Sequence, residues 1–303
     1  MSASNHSTEA TQSAFDYERA FLRNLGLVQP EEQQQLKNCK VAIAGLGGVG
    51  GAHVVTLARM GIGNFHLADF DIFELHNFNR QAGAMMSTLG EPKCAVMSRM
   101  AKDVNPEANV VPFDEGINAD NIDQFLDGVD VVVDGLDFFA VNARDLLYTE
   151  ARKRALPVVG AGPIGFSMIL LTFLPDQMSW HDYFAMDLAK NDTDKYLLFG
   201  LGNAPRATHI PYIDKRYVSL DEQRGPSCAA AVQLCAGVIA VEVLKLVLKR
   251  GVVKAAPYYH QFDPYRCMYV LGKLRNGNRG WLQRLKFYIF KRFYLSGKVK
   301  KDG

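Results

Sequence analysis

Four apolar residues, Val41 to Ala44, run without a break into Gly45-Leu46-Gly47-Gly48-Val49-Gly50. A short apolar run bounded by glycine reads as a strand buried on both faces of a parallel sheet. The glycines allow a tight turn and let backbone N–H groups approach a phosphate at the start of the next helix. Gly51 to Met60 reads as that helix, and Asn64 to Ala68 as a second strand ending at Asp69. Strand, glycine loop, helix and strand in this order predict an α/β, doubly wound, Rossmann-like and mostly parallel sheet. Its ligand crevice lies at the carboxyl ends of the strands.

The alternation continues with a helix over 92–104, a strand over 109–112, a helix over 121–125 and an apolar run over 129–133. Asp134 and Asp137 lie just beyond that run. A helix over 141–154 and a strand over 157–160 complete the doubly wound half, and 166–173 reads as a further strand. Periodicity then weakens over about 175–226, where Gly, Asn, Asp and Pro are scattered, so this segment is expected to be a lid or a substrate-binding crossover loop. A long apolar helix over 227–249 follows, and 258–270 extends the sheet by a strand or two.

Of 303 residues, 48% are hydrophobic, enough for a sizeable core. The expected organisation is a disordered polar tail at 1–15 with no signal-peptide pattern, one phosphate-binding α/β domain at 16–274, and a basic tail at 275–303. The formal charge of +2 is the balance of 34 basic and 32 acidic residues, so no global field argues for nucleic acid. The tail differs: from Arg275 onward nine Lys or Arg face the single Asp302, which leaves the body with a charge of −6. Between Trp281 and Tyr294, apolar and basic residues interleave with helical spacing. Contact with an anionic membrane surface, with tRNA or with an acidic partner, and packing on its own domain, are the readings of that stretch. No run reaches the roughly 18 apolar residues that span a bilayer.

The five cysteines are odd in number and widely spaced, with no C-x-x-C pair, so a reducing, cytoplasmic compartment is expected, without a disulfide framework. Cys228 and Cys235 share a helix face but lie about 10 Å apart, too far for one disulfide or one metal. His181 and His209, in the weakly patterned segment, read as surface residues first and as substrate contacts second.

The glycine loop alone would suit a dinucleotide, with Asp69 on ribose hydroxyls, so an NAD-dependent oxidoreductase is the first reading to weigh. Hydride transfer has no use for the polar set that follows: Asp71, Asn77, Arg80, Gln81 and Lys93. Cations gathered behind a phosphate loop suit attack on phosphorus, where Arg80 and Lys93 stabilise charge on the phosphoryl oxygens and Asp137 holds a metal.

With these motifs in view, the chain resembles the ThiF/MoeB/HesA superfamily, bacterial relatives of ubiquitin-activating enzymes. The likeness rests on Gly45-Leu-Gly-Gly-Val-Gly50, Leu67-Ala-Asp-Phe-Asp71, Asn77-Phe-Asn-Arg-Gln81, Gly90-Glu-Pro-Lys93, Asn105-Pro106 and Asp134-Gly-Leu-Asp137. It implies ATP bound by the loop glycines Gly45, Gly47, Gly48 and Gly50, with Asp69 on the ribose, Asn77, Arg80 and Lys93 on the phosphates and Mg2+ on Asp137. Tyr17-Glu-Arg19 looks like the family's N-terminal Tyr-x-Arg, so the resemblance implies a homodimer in which Arg19 reaches the partner subunit's ATP. The implied reaction is adenylation of a carboxylate with release of pyrophosphate. The carboxylate is usually the C-terminus of a ubiquitin-like protein or a peptide; in another branch, the tRNA threonylcarbamoyladenosine dehydratases, it belongs to a modified tRNA base. A nucleotide-binding scaffold without catalysis is a further alternative, opposed by Arg80, Lys93 and Asp137 standing together, and a dehydrogenase stays a distant fourth.

Three departures narrow this. The paired C-x-x-C motifs that hold zinc in the sulfur-carrier branch are missing, so no zinc is expected. No cysteine lies between Cys94 and Cys228, which argues against a thioester relay. Phe138-Phe139 follows Asp137 where the family often has Asn, which changes the wall of the ATP site.

Overall fold

The structure, a computed structural model, describes residues 15–299, so the expected disordered tail falls, but for Phe15, outside the described residues. Short helices α1 (Tyr17–Ala20) and α2 (Pro30–Asn38) precede β1 (Lys40–Ala44), α3 (Gly48–Arg59), β2 (Asn64–Ala68) and α4 (Lys93–Val104). There follow β3 (Asn109–Phe113), α5 (Ile122–Phe125), β4 (Val131–Asp134), α6 (Val141–Lys153) and β5 (Val158–Ile164). These five strands are parallel, in the order β3-β2-β1-β4-β5. The strand order reverses between β1 and β4, and the loops leaving their carboxyl ends frame the crevice where such sheets bind ligands.

The sheet is extended by antiparallel β6 (Ser167–Phe173), β7 (Tyr258–Asp263) and β8 (Met268–Lys273), giving eight strands. β5 runs four residues past its expected end because it forms a hairpin with β6 through Gly165-Phe166, pairing Ile164 with Ser167.

β1 explains its own sequence. Val41 and Ile43 enter one apolar cluster with α2, α3 and α4, while Ala42 and Ala44 enter the cluster on the opposite face, and all four are fully buried. Successive side chains of a strand point to opposite faces, so a strand covered on both sides must be apolar throughout.

The segment over 175–226 is more ordered than its pattern suggests. It forms α7 (Trp180–Phe184) and α8 (Asp192–Asn203), and Trp180, Tyr183 and Phe184 are almost completely buried against Phe173 and Phe199. Burial of one such side chain contributes about 2 kcal/mol. The helical period of α8 is masked in sequence by Gly200 and Gly202; at Gly202 a Cβ would overlap the Phe184 ring.

α9 (Ala229–Val247) is, among the described residues, the one helix long and apolar enough to cross a bilayer. It serves as a core helix: Val232, Cys235, Ala236, Ile239 and Val243 are buried, and it packs on α3, β5 and β6. Its buried Glu242 accepts a hydrogen bond from Thr172 Oγ1 at 2.8 Å and pairs with Lys245. The last helix, α10 (Trp281–Val299), packs on α8.

Candidate nucleotide site

The glycine loop is shaped by backbone contact that no side chain would allow. Gly45 has φ +84°, and a Cβ there would overlap the Gly135 carbonyl, while one on Gly50 would overlap the carbonyl of Gly45. The loop after β1 is thereby held against the loop after β4, and α3 begins directly at Gly48 with its N-terminal N–H groups facing the crevice.

Asp69 ties the loop to β2. Its Oδ2 accepts from Leu46 N–H at 2.6 Å and its Oδ1 from Asp71 N–H at 2.9 Å. Burial raises the Asp69 carboxyl above its ordinary range, opposed by the charge of Lys93 and by these two N–H groups. Lys93, the first residue of α4, is buried, and its Nζ lies 2.9 Å from Asp71 Oδ2, whose carboxylate is half in solvent. Its ammonium is thus fixed beside two strand-end carboxylates rather than free on the surface, as a solvated lysine would be.

Arg80 lies over the loop from the other side: a Cβ on Gly48 would come 3.6 Å from Arg80 Cγ. The guanidinium donates to the His76 carbonyl and to Asn79 Oδ1, both at 2.9 Å. Burial draws its pKa down, and the charge of Asp137 opposes that shift. Gln81 is buried next to Gly47, and its Oε1 makes no hydrogen bond. Asn77 is buried and shapes the turn: its Oδ1 accepts from Glu74 N–H at 3.0 Å. The structure therefore gathers Asp69, Asp71, Arg80, Gln81, Lys93 and Asp137 around the glycine loop.

Asp137 stands in this set but open to solvent, and Arg19 stands outside it. Asp137 is exposed, with Oδ1 accepting from Phe139 N–H at 3.0 Å. Among the described residues no group of three His, Cys, Asp or Glu side chains is gathered to hold a metal. A lone exposed carboxylate in a phosphate crevice still fits Mg2+, which is usually held by one or two carboxylates together with phosphate oxygens and water. Arg19 is exposed on α1, whose Tyr17 hydroxyl donates to the Gly61 carbonyl at 2.6 Å, beyond the end of α3 opposite the glycine loop. With α3 some 18 Å long, Arg19 is not brought to the site of its own chain.

Sequence reasoning missed the residues that carry the Asp134-Gly-Leu-Asp137 loop. Arg144 Nε donates to Asp134 Oδ2 at 2.7 Å, and the same guanidinium donates to the Leu136 and Asp137 carbonyls at 2.8 and 3.2 Å. Tyr148 adds a hydroxyl donor to Asp134 at 3.1 Å. The available signal is an arginine within the apolar stripe of α6, one turn before Leu147 and Tyr148.

The altered wall at Phe138-Phe139 is completed by α8. Phe138 packs on Phe199 at 5.2 Å between ring centroids, Phe139 packs edge-on against Tyr196 at 5.0 Å, and the Arg144 guanidinium lies 4.4 Å from the Phe199 centroid. The weakly patterned segment thus supplies an aromatic side to the crevice. Cys94 follows Lys93, but burial pushes its thiol up to about 12, so it holds no thiolate near neutral pH. His181 pairs with Asp145 on α6, outside the gathered set.

A glycine loop joined to strand-end carboxylates and two fixed cations defines a nucleotide-binding protein equipped for phosphate chemistry. Residues 21–278 match the ThiF family, and the chain belongs to it. It is 36% identical over 142 residues to the tRNA threonylcarbamoyladenosine dehydratase of Bacillus subtilis, covering 46% of this chain and 55% of that protein. To the SAMP-activating enzyme E1 of Haloferax volcanii it is 31% identical over 149 residues, covering 49% and 54%. The chain thus spans about half the length of these curated relatives. Its fold matches that of PaaA in selenomethionine form, with TM-score 0.64 and 18% identity over 89% of this chain and 77% of that one. It also matches E. coli MccB with MccA-N7isoASN, with TM-score 0.63 and 22% identity over 80% and 66%.

Proposed function

We propose that the chain is an ATP-dependent adenylyltransferase that activates a carboxylate, and that it acts as a homodimer. The observation that carries this is Lys93 and Arg80 fixed on two sides of one glycine loop, with Asp71 and Asp137 beside them. In this reading the N–H groups at the start of α3 bind the phosphates and Asp69 orients the ribose. A substrate carboxylate oxygen bonds to the α-phosphorus as the bond to the bridging oxygen breaks, and that electron pair leaves with pyrophosphate. Arg80 and Lys93 balance charge on the phosphoryl oxygens. Mg2+ held by Asp137 would neutralise the departing pyrophosphate. The product is an acyl-adenylate; the buried thiol of Cys94 supports a reaction that ends there or passes to an external acceptor.

The substrate we favour is the C-terminus of a ubiquitin-like protein or peptide, in line with the names of the SAMP-activating relative and of MccB bound to MccA. Adenylation of a carboxylate on tRNA is a second reading, favoured by the 36% identity to the tRNA dehydratase. The homodimer is supported by Arg19, exposed and remote from its own site, and by Leu22 and Leu27, which are exposed in the same N-terminal segment. Exchange of labelled pyrophosphate into ATP separates the substrates: dependence on an added peptide C-terminus supports the first, dependence on tRNA the second. ATP binding without exchange under either condition points to a scaffold.

A further inference from the structure

α10 sits on the domain with its amphipathic pattern inverted. The side turned inward is the more polar one: Gln283 is buried, with its Nε2 donating to the Leu201 carbonyl and to Asn278 Oδ1, and Lys286 Nζ donates to the Pro205 carbonyl at 2.8 Å. Lys291 Nζ lies 2.6 Å from Asp194 Oδ1 on α8. The side turned outward carries Trp281, Leu282, Leu285, Tyr288, Ile289 and Phe293, each more than two-fifths exposed, with Trp281 at 78%. A helix that merely covered its own domain would bury those residues and leave the lysines in water.

We infer that the outward face of α10 lies on an anionic lipid surface, in the plane of the headgroups. Charge complementarity selects this occupant. Of the nine Lys or Arg from Arg275 onward, Arg279, Lys286 and Lys291 are engaged with the domain; the other six, against one Asp, leave this end of the chain positive while the body ahead of it is negative, so an anionic surface attracts this end and repels the rest. Exposed Arg284 accompanies the apolar stripe, and Trp281 and Tyr288 are the amphipathic rings suited to the headgroup level. A nucleic acid is the poorer fit, since phosphate binding calls for a basic centre, whereas two of this helix's lysines are consumed by inward contacts and the centre of the exposed face is Leu285 and Ile289.

The test is sedimentation of the purified full chain with phosphatidylcholine vesicles, with and without phosphatidylglycerol. The protein is expected to pellet with the anionic vesicles and to be released by high salt. The double variant Leu285→Glu, Ile289→Glu is expected to lose about tenfold in vesicle partitioning with an unchanged unfolding midpoint. The native protein supplies an independent readout through its two tryptophans: brominated lipid should quench exposed Trp281 and spare Trp180, which is buried in the core. No pelleting with anionic vesicles, or equal pelleting of the double variant, overturns the inference. So does a double variant that loses tRNA binding, or halves its mass in solution, in a chain whose native form does not pellet.

Discussion

Arg144 and Asp134 form a buried, two-pronged ion pair, with Nε at 2.7 Å from Oδ2 and the second prong at 3.2 Å from Oδ1. The same guanidinium holds the carbonyls of Leu136 and Asp137, so a buried pair at the carboxyl end of β4 sets the path of the loop that presents Asp137. Arg144→Met strands a buried carboxylate, and should lower stability by about 3–5 kcal/mol. Urea titration measures this directly, and a loss comparable to that of a surface arginine would refute the role. Arg144→Lys, which keeps the charge without the fork, should cost less.

His53 on α3 is fully buried, and neither ring nitrogen has a partner. Burial draws its pKa down from 6.5 to about 3. The unfolded chain therefore takes up a proton that the folded one refuses, and stability that is complete above about pH 6.5 drains as pH falls toward 3. The expected slope for this one group is about 1.4 kcal/mol per pH unit. Denaturant titrations across that window, compared with His53→Leu, should show a shallower acid loss in the variant. Parallel profiles would sink the prediction.

Asp194 is 1% exposed at the start of α8, and Lys291 of α10 supplies its counter-charge. Lys291→Ala should loosen α10 and raise its amide exchange about tenfold while amides of β1 and β4 stay protected. Hydrogen exchange resolved by peptide gives the answer; unchanged protection of α10 would show that Gln283 and Lys286 hold it unaided.

What the sequence disclosed, and what it concealed, follows from the range of the interactions. Val41 to Ala44, the glycine loop, Asp69 and Lys93 are legible because strand burial, a phosphate turn and a strand-end charge each leave a local pattern. Arg144, Tyr148, Phe199 and Tyr196 take their roles from contacts between α6, α8 and the loop after β4, which no spacing along the chain encodes. The helices within 175–226 escaped because two glycines interrupt the apolar rhythm of α8 and because α7 is only five residues long, Trp180 to Phe184. For α10 the periodicity was visible, but which side of the helix faced the domain was not, since polar pairing with Asp194, Pro205 and Asn278 decided it.

In the proposed reaction Lys93 and Arg80, fixed on two sides of the glycine loop, stabilise attack at the α-phosphorus of ATP. Pyrophosphate exchange into ATP, measured on the native chain and on Lys93→Ala and Arg80→Ala with the substrate that supports exchange, tests it most directly. Each variant should lose about a hundredfold or more in exchange rate with its unfolding midpoint near that of the native protein. Equal exchange rates in all three proteins would refute these roles of Lys93 and Arg80.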